Sequence, residues 1–139
     1  MAKINIGRVV IGGLVAGAVL GAVDIVTFGM VLKAPMAVAM RALPKPRMVD
    51  VQVPWYLLID LLAGIGLAWL YAALRPRFGA GPGTAARAGA AGWFFVSLVP
   101  TLVMWPMNLM PLGLTVITTG IALVQWPLAA VVGARFYRE

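Results

Sequence analysis

The sequence predicts an all-α integral membrane protein: a four-transmembrane-helix bundle with a short outer amphipathic segment between helices 1 and 2. Composition is the first reason. Of the residues, 63% are hydrophobic and 11% charged, against about 25% charged in soluble domains. The second reason is the form of the apolar runs, which are continuous and of about the length of a membrane helix. Backbone in lipid must be satisfied within a helix or a closed barrel, and barrel strands alternate with period two, which these runs do not. The third is the placing of Lys and Arg between the runs, where they anchor and orient helices.

A length of 139 residues allows one domain, with spans at about 9–32, 54–74, 85–107 and 112–136. In the first span Asp24 is the one charge, and Gly13, Gly17 and Gly21 recur every fourth residue. On a helix they form one smooth face, and Asp24, three residues beyond Gly21, falls on it. The span is read as a retained helix rather than a signal peptide, because its apolar run exceeds the roughly 7–15 residues of a signal core.

Lys33 and Pro35 end this helix. Met36, Met40 and Leu43 then follow at i, i+4, i+7, and Pro35 suits a first helical turn, so a short helix over 35–43 is expected to lie in the membrane surface. Pro44-Lys45-Pro46-Arg47 is a stiff basic elbow. Arg41, Lys45 and Arg47 are the candidates for lipid head-group contact.

The second span carries Asp60, Gly64, Ala68 and Ala72 at i+4 spacing, repeating the pattern of an aspartate beside small residues. Arg75-Pro76-Arg77 is expected to close it, and Thr84 to cap the third. Pro100 should kink the third span, with Ser97 or Thr101 satisfying the freed backbone. The fourth carries Thr115, Thr118, Thr119 and Gln125 as its polar members, and Pro127 should bend it.

Four spans put both termini and the helix 2–3 loop on one side with Lys3, Arg8, Arg75, Arg77, Arg87, Arg135 and Arg138, seven basic residues, against four (Lys33, Arg41, Lys45, Arg47) on the other. The positive-inside rule then places both termini in the cytoplasm, with the chain in the plasma membrane.

Asp24 lies eight residues before Leu32, and Asp60 seven after Val53. In antiparallel helices both are then roughly 10–12 Å below the outer surface. If the faces of Gly13, Gly17 and Gly21 and of Gly64 and Ala68 pack together, the two carboxyls meet. Two carboxylates in a low-dielectric site do not both ionise cheaply, so the pair is expected to hold a proton. It could bind a cation, pass a proton, join the two helices, or contact another subunit. Thr27, Thr101, Asn108, Thr115, Thr118 and Thr119 are candidates to complete a polar patch around it.

Other chemistry has little footing. Cys and His are both absent, which excludes disulfides, thiol catalysis and His-ligated metal or haem. No nucleophile–base pair can be written around Ser97, the single serine, and Gly79–Gly83 lacks the Lys-Ser/Thr of a phosphate loop. No catalytic residue, metal or cofactor is expected. The net charge of +7 belongs to the loops and does not point to nucleic acid. The first functional expectation is a non-catalytic accessory subunit that docks on a larger membrane complex. The alternative is a small proton- or cation-coupled transporter using Asp24 and Asp60. Expected partners are the lipid bilayer and other membrane subunits or further copies of the chain.

Overall fold

A computed structural model describes residues 4–42 and 53–137. Among them every regular element is helical, and four helices are long and apolar enough to cross a bilayer: Ile6–Val31, Val53–Phe78, Pro82–Met107 and Leu112–Ala134. The chain is an all-α, multi-pass membrane protein folded as a four-helix bundle.

The first span begins as α1 (Ile6–Val26), three residues earlier than predicted. Asn5 explains the early start: its side chain caps the helix by accepting from the Arg8 amide at 3.1 Å. The span continues through a π-helical turn at Thr27–Val31, closed by the Leu32 amide donating to Thr27 O at 2.7 Å. α2 (Lys33–Arg41) follows at once, with Pro35 in its first turn. Its Ala39 packs with Leu32 and Leu114, flanked by Met36 and Met110, so α2 leans on the start of the fourth span. Arg41 is exposed at its end. Lys45 and Arg47, with the rest of the basic elbow, fall outside the described residues.

α3 (Val53–Phe78) overruns its predicted end at Leu74 by a full turn. Pro76 has no N–H to offer Ala72, but that loss is a single bond. The Gly79 amide donates to Arg75 O at 2.8 Å, and the chain leaves the helix only at Gly79, whose φ of +80° suits glycine. The extra turn places Arg75 over two aromatic rings, 5.9 Å from the Tyr71 centroid and 5.2 Å from that of Tyr137. The Tyr71 hydroxyl accepts from the Gly81 amide at 3.2 Å, and the Tyr137 hydroxyl from the Asn5 amide at 3.4 Å. Asn5 before α1, Tyr137 after the fourth span and the turn after α3 are thus tied together at one end of the bundle.

α4 (Pro82–Gly92) starts at Pro82 rather than Ala85, because Pro supplies a first helical residue with φ already set. Thr84 is therefore inside the helix and is not its cap; its hydroxyl donates back to Phe78 O at 3.2 Å. The third span then runs through a π-helical turn (Trp93–Leu98), α5 (Val99–Met104) and a 3₁₀ turn (Trp105–Met107), ending at Asn108 in the left-handed region. The predicted irregularity at Pro100 sits just before it. Pro100 cannot bond to Val96 O, and the chain adjusts by the Val99 amide reaching back five residues to Phe94 O. Neither the Ser97 nor the Thr101 hydroxyl bonds to this backbone, contrary to expectation. α6 (Leu112–Ala134) ends two residues short of its predicted limit, in tight turns through Tyr137.

α1 packs between α3 and α6, and α4 lies against α6 and α3. The core between them is made largely of small residues: Ala16, Ala68, Ala85, Ala88 and Ala129 are all buried. Helices in lipid gain little from hiding large apolar groups from one another, so association depends on close backbone approach.

Candidate functional site

The site is set by how closely α1 and α3 approach. A Cβ added at Gly17 would stand 2.6 Å from Leu61 Cα and 2.7 Å from Asp60 O. One at Gly13 would be 2.8 Å from Ile65 Cγ1, and one at Gly21 2.8 Å from Leu57 Cδ2. In return, Gly64 lies directly against the Gly17 amide nitrogen and the Gly13 carbonyl. Ala68 continues the α3 side of this contact into the cluster of Val9, Tyr71 and Tyr137. α1 has a second close face that its sequence did not announce. A Cβ at Gly12 would stand 2.8 Å from Gly133 O, and one at Gly133 2.8 Å from Ala16 Cβ. On the far side of α6, Gly89 and Gly92 of α4 receive Pro127 and the Trp126 ring.

These contacts bring Asp24 and Asp60 together. Asp60 Oδ2 lies beside Gly21, 3.3 Å from the position of a Cβ there, and is buried with no donor among the described residues. Its carboxyl faces that of Asp24 within hydrogen-bonding reach, so a proton on either would join α1 to α3. Asp24 Oδ1 also accepts from Gln125 Nε2 at 2.8 Å, and the same nitrogen donates to Leu20 O at 3.0 Å. Two acceptors on one nitrogen fix which way the buried amide points. Asp24 therefore stands at the junction of three helices, with Asp60 on one side and Gln125 on the other. The sequence marks Gln125 only as a polar member of the fourth helix. The available signal was one amide within an apolar run, which needs a partner in the bundle.

Beside this junction a cleft of about 330 Å³ opens between the first, third and fourth spans. Asp24 and Thr27 line it from the first, Ser97 and Thr101 from the third, and Thr118, Thr119 and Gln125 from the fourth. Of the six residues proposed for a polar patch, Thr27, Thr101, Thr118 and Thr119 are thus in one place. Thr115 and Asn108 are not. The Thr115 hydroxyl bonds to Pro111 O at 3.2 Å, and Asn108 ends the third span, exposed. Ser97 and Gln125 take their place. Thr118 donates to Leu114 O at 2.9 Å, and the Trp93 indole N–H to Thr119 O at 3.0 Å. Both π-helical turns border the cleft: Thr27 and Phe28 come from one, Val96 and Ser97 from the other. Such turns recur at functional sites because they redirect side chains within a helix.

The Asp60–α1 contact has a direct test. A Cβ at Gly21 would lie 3.9 Å from Asp60 Cβ, within the roughly 3.5–4.5 Å that a disulfide requires. Gly21→Cys with Asp60→Cys, in a chain without other cysteines, should crosslink under mild oxidation, read by mass spectrometry after tryptic digestion. Gly66→Cys with Gly21→Cys should not, since nothing approaches Gly66.

Comparison of the chain with protein-family models, with characterised proteins and with solved structures returns no match.

Proposed function

We propose that this protein is a small transporter that couples solute movement to a proton carried by the Asp24–Asp60 pair. The observation that carries this reading is the position of Asp24: one oxygen is held by Gln125, its carboxyl faces Asp60, and it lines a polar cleft within the spans. Intramembrane carboxyls in contact with a cavity commonly mark proton or cation paths. Carboxyls serving only to join helices need no such cavity. In this reading the two aspartates lie within the bilayer. The protein sits in the plasma membrane with both termini cytoplasmic, and exposed Arg41, with Lys45 and Arg47, meets lipid phosphates.

The test is proton flux. In liposomes holding the purified protein and a pH-sensitive dye, an imposed potential should drive acidification that Asp24→Asn and Asp60→Asn each reduce at least tenfold. Both variants should still elute as folded protein. Flux equal to wild type in both would remove the reading. Sidedness is tested separately: a cysteine replacing Phe136 should resist an impermeant thiol reagent added to intact cells, and its labelling would reverse the topology.

A second reading, an accessory subunit of a larger membrane complex or a homo-oligomer, is favoured by the third span. From Trp93 to Met107 it has no buried residue, which leaves that half free to receive another helix. Stable co-purification with larger subunits from the native membrane, without intrinsic proton flux, would favour it.

A further inference from the structure

The cleft beside Asp24 has a chemistry of its own. Among the described residues lining it, the charged group is a carboxyl, and there is no lysine or arginine. The Gln125 amide spends its nitrogen on Leu20 O and Asp24 Oδ1, so only its oxygen remains for a ligand. The Thr118 hydroxyl proton is taken by the Leu114 and Thr115 carbonyls, which leaves lone pairs. Thr27 is 6% exposed, lines the cleft, and its hydroxyl bonds to nothing among the described residues. That hydroxyl is therefore open to the cleft and available both to donate and to accept. The remaining wall is apolar and aromatic, with Phe28, Met104 and Trp126.

A volume of about 330 Å³ is on the order of ten times the roughly 30 Å³ share of one water in the liquid. It suits a small molecule rather than a bare ion, and stands at the lower end of known ligand pockets. An anion would meet a carboxyl with no compensating cation. A neutral apolar molecule would leave the Thr27 hydroxyl without a partner and the Asp24 charge without a counterion. A primary ammonium supplies three donors and a positive charge, and an apolar tail can lie on Phe28 and Trp126, whose ring faces also attract cations.

We propose that the cleft between the first, third and fourth spans binds a small primary organic ammonium, its head on Asp24 and Thr27 and its tail against Phe28, Met104 and Trp126. This deepens the transporter reading and rests on it for the word substrate, but binding is measured without transport.

The experiment is calorimetric titration of the purified full chain in detergent with three probes of like size: 2-phenylethylammonium, the neutral 2-phenylethanol and the anionic 3-phenylpropionate. The ammonium should bind at least tenfold more tightly than the alcohol, and the anion should give no binding heat. Asp24→Asn should weaken the ammonium at least tenfold, and Thr27→Val several-fold, with the alcohol little changed in either. Equal affinity for ammonium and alcohol, no heat with the ammonium, or full affinity in Thr27→Val would overturn the assignment. If Asp24→Asn does not fold, the probe comparison on wild type and Thr27→Val decides alone. Aspartate-dependent proton flux in liposomes without amine, together with failed ammonium binding, would refute the ligand while leaving the proton path standing.

Discussion

Gly64→Ala should cost about 2–3 kcal/mol of stability, whereas Gly66→Ala should change it by no more than about 1 kcal/mol. The two positions share a helix, a residue type and a substitution; they differ in what lies opposite. A methyl at Gly64 would enter the space of the Gly17 amide nitrogen and the Gly13 carbonyl, and nothing lies within 4 Å of one at Gly66. Backbone cannot turn aside as a side-chain tip can. α1 and α3 would therefore have to separate along the whole Gly13–Gly21 contact and lose dispersion contacts throughout. Asp60 would leave Gly21 with them. Thermal unfolding in detergent measures both variants; equal midpoints would mean that the helices do not approach at Gly64.

Gln125→Leu should destabilise the bundle by about 2 kcal/mol, because the half-buried Asp24 carboxyl and the Leu20 carbonyl lose their shared donor while the added apolar surface returns little in a lipid-like setting. A double-mutant cycle separates the bond from the packing. Gln125→Leu and Asp24→Leu should couple by about 1.5 kcal/mol, near the upper end for polar contacts between membrane helices, whose average is about 0.6 kcal/mol. The expectation is high because one amide nitrogen bridges the carboxyl and the α1 backbone, so a single loss frees two acceptors. Coupling near zero would mean that Gln125 and Asp24 are neighbours without a bond.

The parts of this architecture that were legible in the sequence are those decided by local rules. Apolar length gives the four spans, and a four-residue spacing places Gly13, Gly17 and Gly21 on one face, where the structure sets them against Leu57, Asp60, Leu61 and Ile65. Matched distance from the helix ends places Asp24 and Asp60 at similar depth. What could not be read depends on rotation about a helix axis. Gly12 meets Gly133, and Gln125 meets Asp24, only because α6 turns that side toward α1, and nothing in α6 alone sets that angle. Pro76 looked like a stop because its local cost was visible, while the Arg75 contact with Tyr71 and Tyr137, 62 residues further on, was not. Thr84 and Thr115 were misplaced for a similar reason. A threonine hydroxyl serves a nearby carbonyl as readily as a cap or a cavity, and the sequence does not choose between them.

The π-helical turn at Thr27–Val31 has a consequence for how the first span keeps phase. A wider turn holds more residues than an α-helical one, so the angular register is reset where it occurs. Residues before it answer to one set of neighbours, with Gly17, Gly21 and Asp24 aimed at α3 and α6. Residues after it answer to another, with Leu32 and Ala39 aimed at Leu114. An uninterrupted helix would fix both aims by a single rotation, and satisfying one would compromise the other. The turn works as a coupling between two shafts, letting the half that holds the carboxyl and the half that leads into α2 each find its own angle.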